Sequence, residues 1–233
     1  RATVAEMAEA ARARGWRYLG IADHSRTAGY AGGLSEHAVR RQWAEIDAWN
    51  AAHGGKGRRR FRLFKGIESD ILTDGSLDYG DDVLAGFDFV IGSVHSAFRL
   101  SEREQTDRLV RAVSHPRLTI LGHATGRLLL KRGGYAVDVR AVIDAAAAHG
   151  VAVEINADPH RLDVDWKTAR YAAGRGVPVP INPDAHSTLS LDYVEWGVNV
   201  ARKGWLTAKQ VLNCWTLTRV EEHLATRKQA RAG

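Results

Sequence analysis

The stretch DVRAVIDAAAAHGVAVEIN, residues 138–156, decides the fold class. Its first part, 138–149, carries apolar residues at helical spacing, and Gly150 is the residue type that commonly ends a helix. The last part, 151–156, is a short apolar run typical of a buried strand. A helix that leads at once into a strand of this kind predicts an α/β fold with a parallel sheet covered on both faces.

The same alternation extends outward over the whole chain. We expect six strands, each an apolar or β-branched run, at 17–22, 61–67, 87–94, 117–122, 151–156 and 177–182. The helical patterns fall at 3–14, 35–52, 101–114, 138–149, 165–174, 192–203 and 207–224. Since no linker or low-complexity tract interrupts this order, residues 1–233 are predicted to form one domain.

The composition excludes several classes of protein. With 233 residues, of which 45% are hydrophobic and 26% charged, the chain is an ordinary globular sequence that can bury one sizeable core. No apolar run approaches the roughly 20 residues of a membrane span, and no leader-like segment opens the chain, so we expect a soluble, cytoplasmic protein without a membrane partner. The single cysteine, Cys214, excludes an internal disulfide and a thiolate zinc finger.

The charge balance favours an anionic partner. Thirty-three Lys and Arg residues against 27 Asp and Glu give a formal net charge of +6, which is compatible with nucleic acid as a partner but does not identify it. The basic run Lys56–Arg60 precedes a strand and therefore lies on the face opposite the strand ends. We interpret this run as a solvated loop rather than a DNA contact.

Histidines and carboxylates follow the predicted strands, on the face where parallel α/β folds collect their chemistry. Six such residues stand at five strand ends: His24, Glu68, His95, His123, Asp184 and His186. One histidine at a strand end is more often structural, but the repetition predicts a ring of metal ligands. Imidazole with carboxylate suits Zn, Mn or Fe, and two or three such ions can activate water and clamp a phosphoryl group. The residues thus indicate a phosphoesterase.

These motifs also resemble, in order, those of the PHP (polymerase and histidinol phosphatase) superfamily. The matching segments cover nearly the whole chain: 21–25 (IADHS), 66–68 (GIE), 93–96 (SVHS), 122–123 (GH), 154–156 (EIN) and 184–186 (DAH). Within that superfamily the chain is similar to the C-terminal PHP domain of bacterial family X DNA polymerases. That likeness depends on the segments 154–163 (EINADPHRLD), 126–130 (GRLLL) and 211–214 (VLNC).

The resemblance implies both a fold and an activity. The fold would be a distorted seven-stranded (βα) TIM-like barrel with up to three divalent ions, Mn or Zn. The activity would be that of a metal-dependent 3′–5′ exonuclease and 3′-phosphatase on DNA ends, joined to an upstream polymerase domain in the same parent chain.

The resemblance also assigns roles to residues. It makes His24, Glu68, His95, His123, Asp184 and His186 the metal ligands, with Glu68, Asp184 and His186 also taking part in catalysis. Glu68 would bridge two ions, with His95 and His123 completing one of them; His24 and His186 would share the second, and Asp184 would face a third. We expect Arg161, Lys131 and Arg127 to bind phosphate, for which the Arg fork is suited, and Asp23 to orient His24 or its loop.

One departure from the family pattern affects these expectations. Family members begin with a strand that carries His-x-His, followed shortly by an Asp, and this chain starts at the first helix instead. We therefore expect two strands with unpaired edges, and only the Glu68, His95 and His123 site with its full protein ligand set. The chain as written is predicted to bind metal incompletely and to be weakly active unless an upstream strand is supplied.

Two other functions stay open on the sequence. A small-molecule phosphoesterase of the histidinol-phosphatase kind would share every ligand and differ only in the residues that contact the substrate. A non-catalytic scaffold, which positions a polymerase or binds DNA with an incomplete metal site, belongs to another class. Activity on a small phosphomonoester with none on 3′-ended DNA would favour the first. Absence of Mn-dependent nuclease activity after a His-x-His strand is restored would favour the second.

Overall fold

The computed structural model describes residues 2–57 and 60–229, so Arg58 and Arg59 of the basic run lie outside the described residues. Its strands are β1 (Tyr18–His24), β2 (Arg62–Asp70), β3 (Phe89–Ser93), β4 (Ile120–Leu121), β5 (Ala152–Val153), β6 (Ile155–Asn156) and β7 (Ile181–Asn182). Its α-helices are α1 (Val4–Ala13), α2 (Glu36–His53), α3 (Asp81–Leu84), α4 (Glu102–Ser114), α5 (Val139–His149), α6 (Trp166–Gly174), α7 (Val194–Lys203) and α8 (Leu217–Gln229).

The strands form a parallel arrangement, as predicted. Five of them make one sheet in the order β1-β2-β3-β4-β5, and β6 pairs with β7 in a second, two-stranded sheet. The predicted strand 151–156 is divided at Glu154: β5 pairs with β4, while β6 pairs with β7. This one extended segment therefore joins the two sheets, and all six predicted strand positions are confirmed.

Local sequence signals set the helix boundaries. Thr3 and Glu6 form a reciprocal capping box at the start of α1, and Ser101 and Glu104 do the same for α4. Helix α5 ends at Gly150, whose φ of +62° is a left-handed conformation that glycine adopts without steric cost. The apolar faces of the helices bury a core that includes Leu109, Ile143 and Ala172 against the sheet.

The predicted helix at 207–224 is wrong in its first half. The segment forms a short 3-10 turn at Leu212–Cys214, and α8 begins only at Leu217. The cause is a set of contacts with distant residues: Val179 N donates to Gln210 O at 2.9 Å, and Leu212 N donates to Val179 O at 3.2 Å. A helical pattern in the local sequence does not reveal hydrogen bonds to distant residues such as these.

The expectation of two unpaired strand edges is wrong for β7. Its Ile181 N donates to Asn213 Oδ1 at 2.7 Å, and Asn213 Nδ2 donates to Ile181 O at 2.9 Å. The Asn213 side chain thereby takes the place of a neighbouring strand at this residue. Strand β1 forms an edge of the five-stranded sheet, and a largely apolar cavity of about 770 Å³ lies between it and residues 180–186.

No helix in the described part of the chain is both long enough and apolar enough to cross a membrane.

Candidate metal centre

Glu68 lies at the centre of three imidazoles that come from three other strand ends. Its Oε1 is 3.0 Å from His123 Nε2 and 3.5 Å from His95 Nε2, and its Oε2 is 3.3 Å from His24 Nδ1. The strands explain this convergence, since β1 and β2 run in parallel with His24 directly opposite Glu68. Four of the six predicted ligands thus meet at Glu68.

Burial and charge act in opposite directions on this cluster. Burial alone raises the pKa of Glu68, but hydrogen bonds from His123 and His95 outweigh it, and the pKa falls well below 4.5. Burial likewise opposes the charged form of His95, yet Asp70 and Glu68 together raise its pKa to about 9. For His24, burial outweighs the nearby carboxylates and lowers the pKa. Glu68 is therefore held as an anion among imidazoles.

Asp70 also belongs to this cluster, although the pattern of strand ends did not single it out. Its Oδ1 lies 2.6 Å from His95 Nδ1, and its Oδ2 accepts a hydrogen bond of 2.6 Å from Thr27 Oγ1. A carboxylate on one imidazole nitrogen fixes the ring so that the other nitrogen faces the ligand site. The available signal was spacing, since Asp70 is two residues beyond Glu68 on one strand and side chains at that spacing share a face.

Asp184 and His186 lie at the same cavity as His24 and Glu68. Asp184 Oδ2 accepts a hydrogen bond of 3.1 Å from Asn156 Nδ2, and His186 Nδ1 is 2.8 Å from the carbonyl oxygen of Asp184. The His186 side chain is 65% exposed, in contrast to the three imidazoles around Glu68. The structure therefore places these two predicted ligands on the open side of the cluster.

Two of the six residues carry strained backbone. His123 has φ +22° and Asp184 has φ +51°, both outside the region that non-glycine residues usually adopt. Strain of this kind concentrates at functional sites, where surrounding contacts hold it in place. The strain at His123 and Asp184 is thus a second indication, independent of the ligand types, that this face has a function.

Behind the cluster lies Glu154, at the division between β5 and β6. It accepts a hydrogen bond of 2.9 Å from the backbone of His123 and one of 2.7 Å from Asn182 Nδ2. Burial raises the pKa of Glu154 to about 7. Glu154 thereby links the backbone of one predicted ligand to β7, a contact that the sequence pattern did not indicate.

The residues predicted to bind phosphate occupy three different settings. Arg161 Nε lies 3.8 Å from Asp184 Oδ2, at the centre. The Arg127 guanidinium donates to the carbonyl oxygens of Arg161 and Leu162, so it holds the backbone beside Arg161, whereas Lys131 is exposed. Asp23, predicted to orient His24 or its loop, accepts a hydrogen bond of 2.5 Å from Gln42 Nε2 on α2.

The donor set fits a divalent metal ion. His24, Glu68 and His95 each present one ligand atom, and these atoms lie within 4.8 Å of one another. Imidazole nitrogens with a carboxylate oxygen suit Zn and related transition metals, and Asp70 supplies the outer carboxylate that such histidines usually have. His123 adds a further imidazole at Glu68.

Comparison with known proteins gives relatives for nearly the whole chain. No family model matches the sequence. The chain is 43% identical over 222 residues to the DNA polymerase/3′-5′ exonuclease PolX of Bacillus subtilis. The aligned region covers 95% of this chain but only 38% of that relative. It is 26% identical to a probable phosphatase of Thermoanaerobacter sp., over 73% of this chain and 71% of the relative.

A solved structure has a similar fold. Histidinol phosphate phosphatase from Lactococcus lactis, crystallised with zinc, L-histidinol and phosphate, superposes with a TM-score of 0.62. The match covers 88% of both chains at 16% sequence identity. This likeness shows that the α/β architecture is of the TIM-like kind found in that phosphatase, and confirms the predicted fold class.

Proposed function

This chain belongs to the PHP (polymerase and histidinol phosphatase) superfamily, and we propose from that premise that it is a metal-dependent phosphoesterase acting on the 3′ ends of DNA. The reaction would remove 3′-terminal nucleotides and 3′-phosphates. The relative that suggests DNA as substrate is a PolX protein of which this chain spans 38%, so an upstream polymerase domain is part of the proposal. We also propose a cytoplasmic location, in line with the PolX relative.

The observation that carries the proposal is the arrangement around Glu68. Its two carboxylate oxygens face imidazole nitrogens of His24, His95 and His123 within 3.5 Å. We assign the holding of divalent ions, Mn or Zn, to these four residues together with Asp184 and His186. When bound, such ions activate water at neutral pH and neutralise charge on phosphoryl oxygens.

Other residues prepare this centre for a phosphate. Asp70 holds the Nδ1 proton of His95, so that His95 Nε2 stays directed toward Glu68. Arg161 lies beside Asp184 and would donate to the phosphate through its planar guanidinium. Arg127 would act chiefly by fixing the backbone at 161–162, and Lys131 as an exposed cation for the DNA backbone.

A panel of substrates and metals tests the proposal. The protein at its native full length would be assayed with Mn²⁺, Zn²⁺ or Mg²⁺ on 5′-labelled DNA that ends in a 3′-hydroxyl or a 3′-phosphate, and on a small phosphomonoester. We expect metal-dependent shortening of the DNA. Hydrolysis of the phosphomonoester with no action on DNA would contradict the proposal.

A small-molecule phosphoesterase is the second candidate, because several relatives are named probable phosphatases and the similar fold belongs to a histidinol phosphate phosphatase. The same substrate panel distinguishes it from the DNA-end enzyme. Binding of DNA without any metal-dependent hydrolysis would instead favour a scaffold.

A further inference from the structure

The loop of residues 126–135 presents a leucine entirely to solvent. Leu130 has a relative exposure of 107%, and its backbone is left-handed, with φ +63°. A leucine in this position gains no burial and bears a steric cost that glycine would avoid. Neither exposure nor strain contributes to folding, and Trp205 shows both as well; what distinguishes Leu130 is its place beside the candidate metal centre.

This loop is firmly held despite its exposed tip. Leu128 and Arg132 form an antiparallel bridge across it, with Leu128 N donating to Arg132 O at 2.9 Å. At its base, Tyr135 Oη donates to Ala124 O at 2.8 Å, and the Arg132 guanidinium lies 4.0 Å from the centre of the Phe98 ring. Leu130 is thus displayed on a fixed support rather than on a loose segment.

The same loop is tied to the metal centre by short contacts. Its Leu129 N donates to His160 O at 2.6 Å, and its Arg127 Nε donates to Arg161 O at 2.9 Å. Arg161 in turn lies 3.8 Å from Asp184, and Gly126 N donates to His123 O at 2.8 Å. The exposed leucine therefore rises from the rim of the candidate centre.

The chemistry of the loop fits one kind of partner. Residues 126–135 carry three basic side chains, Arg127, Lys131 and Arg132, and no acidic one. Lys131, next to Leu130, is exposed. An apolar tip beside a cation matches a nucleic acid end, where a base face is uncovered next to phosphates. An anionic membrane would offer similar chemistry, but the phosphoester centre at the base of the loop favours DNA.

We propose that Leu130 is a wedge that packs against the last base pair of a DNA duplex and unstacks the 3′-terminal nucleotide toward the metal centre. This inference rests on the proposed function and names its substrate as a duplex end. Apolar side chains that insert at base steps separate stacked bases in this way. Leu130 would be a positioning residue, since it acts on the base and not on the reacting phosphate.

The test uses Leu130→Gly, because glycine relieves the left-handed backbone and the variant should fold at least as well. Trp205→Gly is the matched control: Trp205 is 79% exposed and has φ +62°, in the turn after α7. The native-length proteins would be mixed with a duplex that carries 2-aminopurine at its 3′-terminal pair, with a phosphorothioate linkage to prevent cleavage.

Unstacking raises the fluorescence of 2-aminopurine, so we expect a rise with wild type and Trp205→Gly and little or none with Leu130→Gly. On a cleavable duplex, Leu130→Gly should lose about tenfold in kcat/KM, the order of one lost base contact, with a small phosphodiester hydrolysed as by wild type. An equal rise with Leu130→Gly, or none with wild type, would overturn the wedge.

Two further outcomes separate this proposal from its premise. A fluorescence rise that depends on Leu130 in a protein that does not shorten DNA would overturn the proposed function alone. Loss of binding to vesicles of anionic phospholipid in Leu130→Gly, with DNA fluorescence unchanged, would overturn the wedge and indicate a membrane contact.

Discussion

Asp70 Oδ1 lies 2.6 Å from His95 Nδ1, and the opposite ring nitrogen of His95 faces Glu68 at 3.5 Å. The aspartate therefore orients a histidine whose other ring nitrogen faces the candidate metal centre. Thr27 Oγ1 donates to the other oxygen of Asp70 at 2.6 Å and fixes the carboxylate in turn. This chain of contacts connects β1, β2 and β3 at the ends where the site lies.

The first prediction concerns this orientation. Asp70→Asn should lower the affinity for Mn²⁺ or Zn²⁺ by roughly 10- to 100-fold, because the amide no longer holds the His95 ring as the carboxylate does. Isothermal titration with each metal would measure the change. Asp74→Asn is the control. Asp74 lies in the turn after β2 and its side chain accepts hydrogen bonds from Ser76, so this change should leave the metal affinity unchanged. Equal losses in both variants would argue against a specific role for Asp70.

Glu68→Gln tests the residue on which the centre converges. Glutamine keeps the shape of the side chain but removes the anion that faces three imidazoles, so we expect at least about 100-fold weaker metal binding. Elemental analysis of the dialysed protein, together with a metal titration, would show this. The exposed Glu102→Gln on α4 serves as control. Full metal content in Glu68→Gln would be incompatible with Glu68 as a ligand.

A third prediction concerns stability behind the site. The buried Arg108 guanidinium donates to the carbonyl oxygens of Ile71, Leu72 and Ser96, and so joins the segments that follow β2 and β3. Arg108→Met would leave these oxygens without their donor, and we expect a loss of about 3 kcal/mol in the free energy of unfolding. Urea denaturation would measure it.

The control for this prediction lies on the same helix. Arg103 is 92% exposed, and Arg103→Met should change the free energy of unfolding by less than about 0.5 kcal/mol. Similar stabilities for the two variants would show that the Arg108 hydrogen bonds contribute little.

The fourth prediction concerns pH. Burial acts to raise the pKa of Glu221, but hydrogen bonds from Arg62 and Arg60 outweigh it and lower the pKa below 4.5. A lowered carboxyl pKa stabilises the folded state above the unfolded pKa, and this contribution is lost as the pH falls through the folded pKa. Glu221→Gln should therefore cost about 1 kcal/mol at pH 7 and progressively less below about pH 4.5.

Thermal or urea unfolding at pH 7 and at pH 3 would check this dependence. Glu222→Gln, which changes the adjacent exposed residue on α8, should show no such pH-dependent change in the free energy of unfolding. A cost in Glu221→Gln that is the same at both pH values would contradict the assigned ion pairs.

The sequence predicted the strand positions because each strand is a continuous apolar run. It also predicted that six polar residues at strand ends share one face, and four of them meet at Glu68, because the ends of parallel strands lie together. It did not reveal Asp70, because the predicted strand ends with its apolar part at residue 67, whereas β2 continues to Asp70. It also misplaced the start of α8, because Asn213 pairs with the backbone of Ile181, far away in the chain. Both errors arise where contacts between distant segments override the local pattern.

The most direct test of the account is the rate at which the native-length protein releases nucleotides from the 3′ end of DNA in the presence of Mn²⁺. We predict metal-dependent release by wild type, a reduction of about 100-fold or more in His95→Ala, and no reduction in His149→Ala, where the histidine is exposed at the end of α5. Release that continues unchanged in His95→Ala, or that is unaffected by removal of metal with EDTA, would contradict the assignment of a metal-dependent phosphoesterase to this centre.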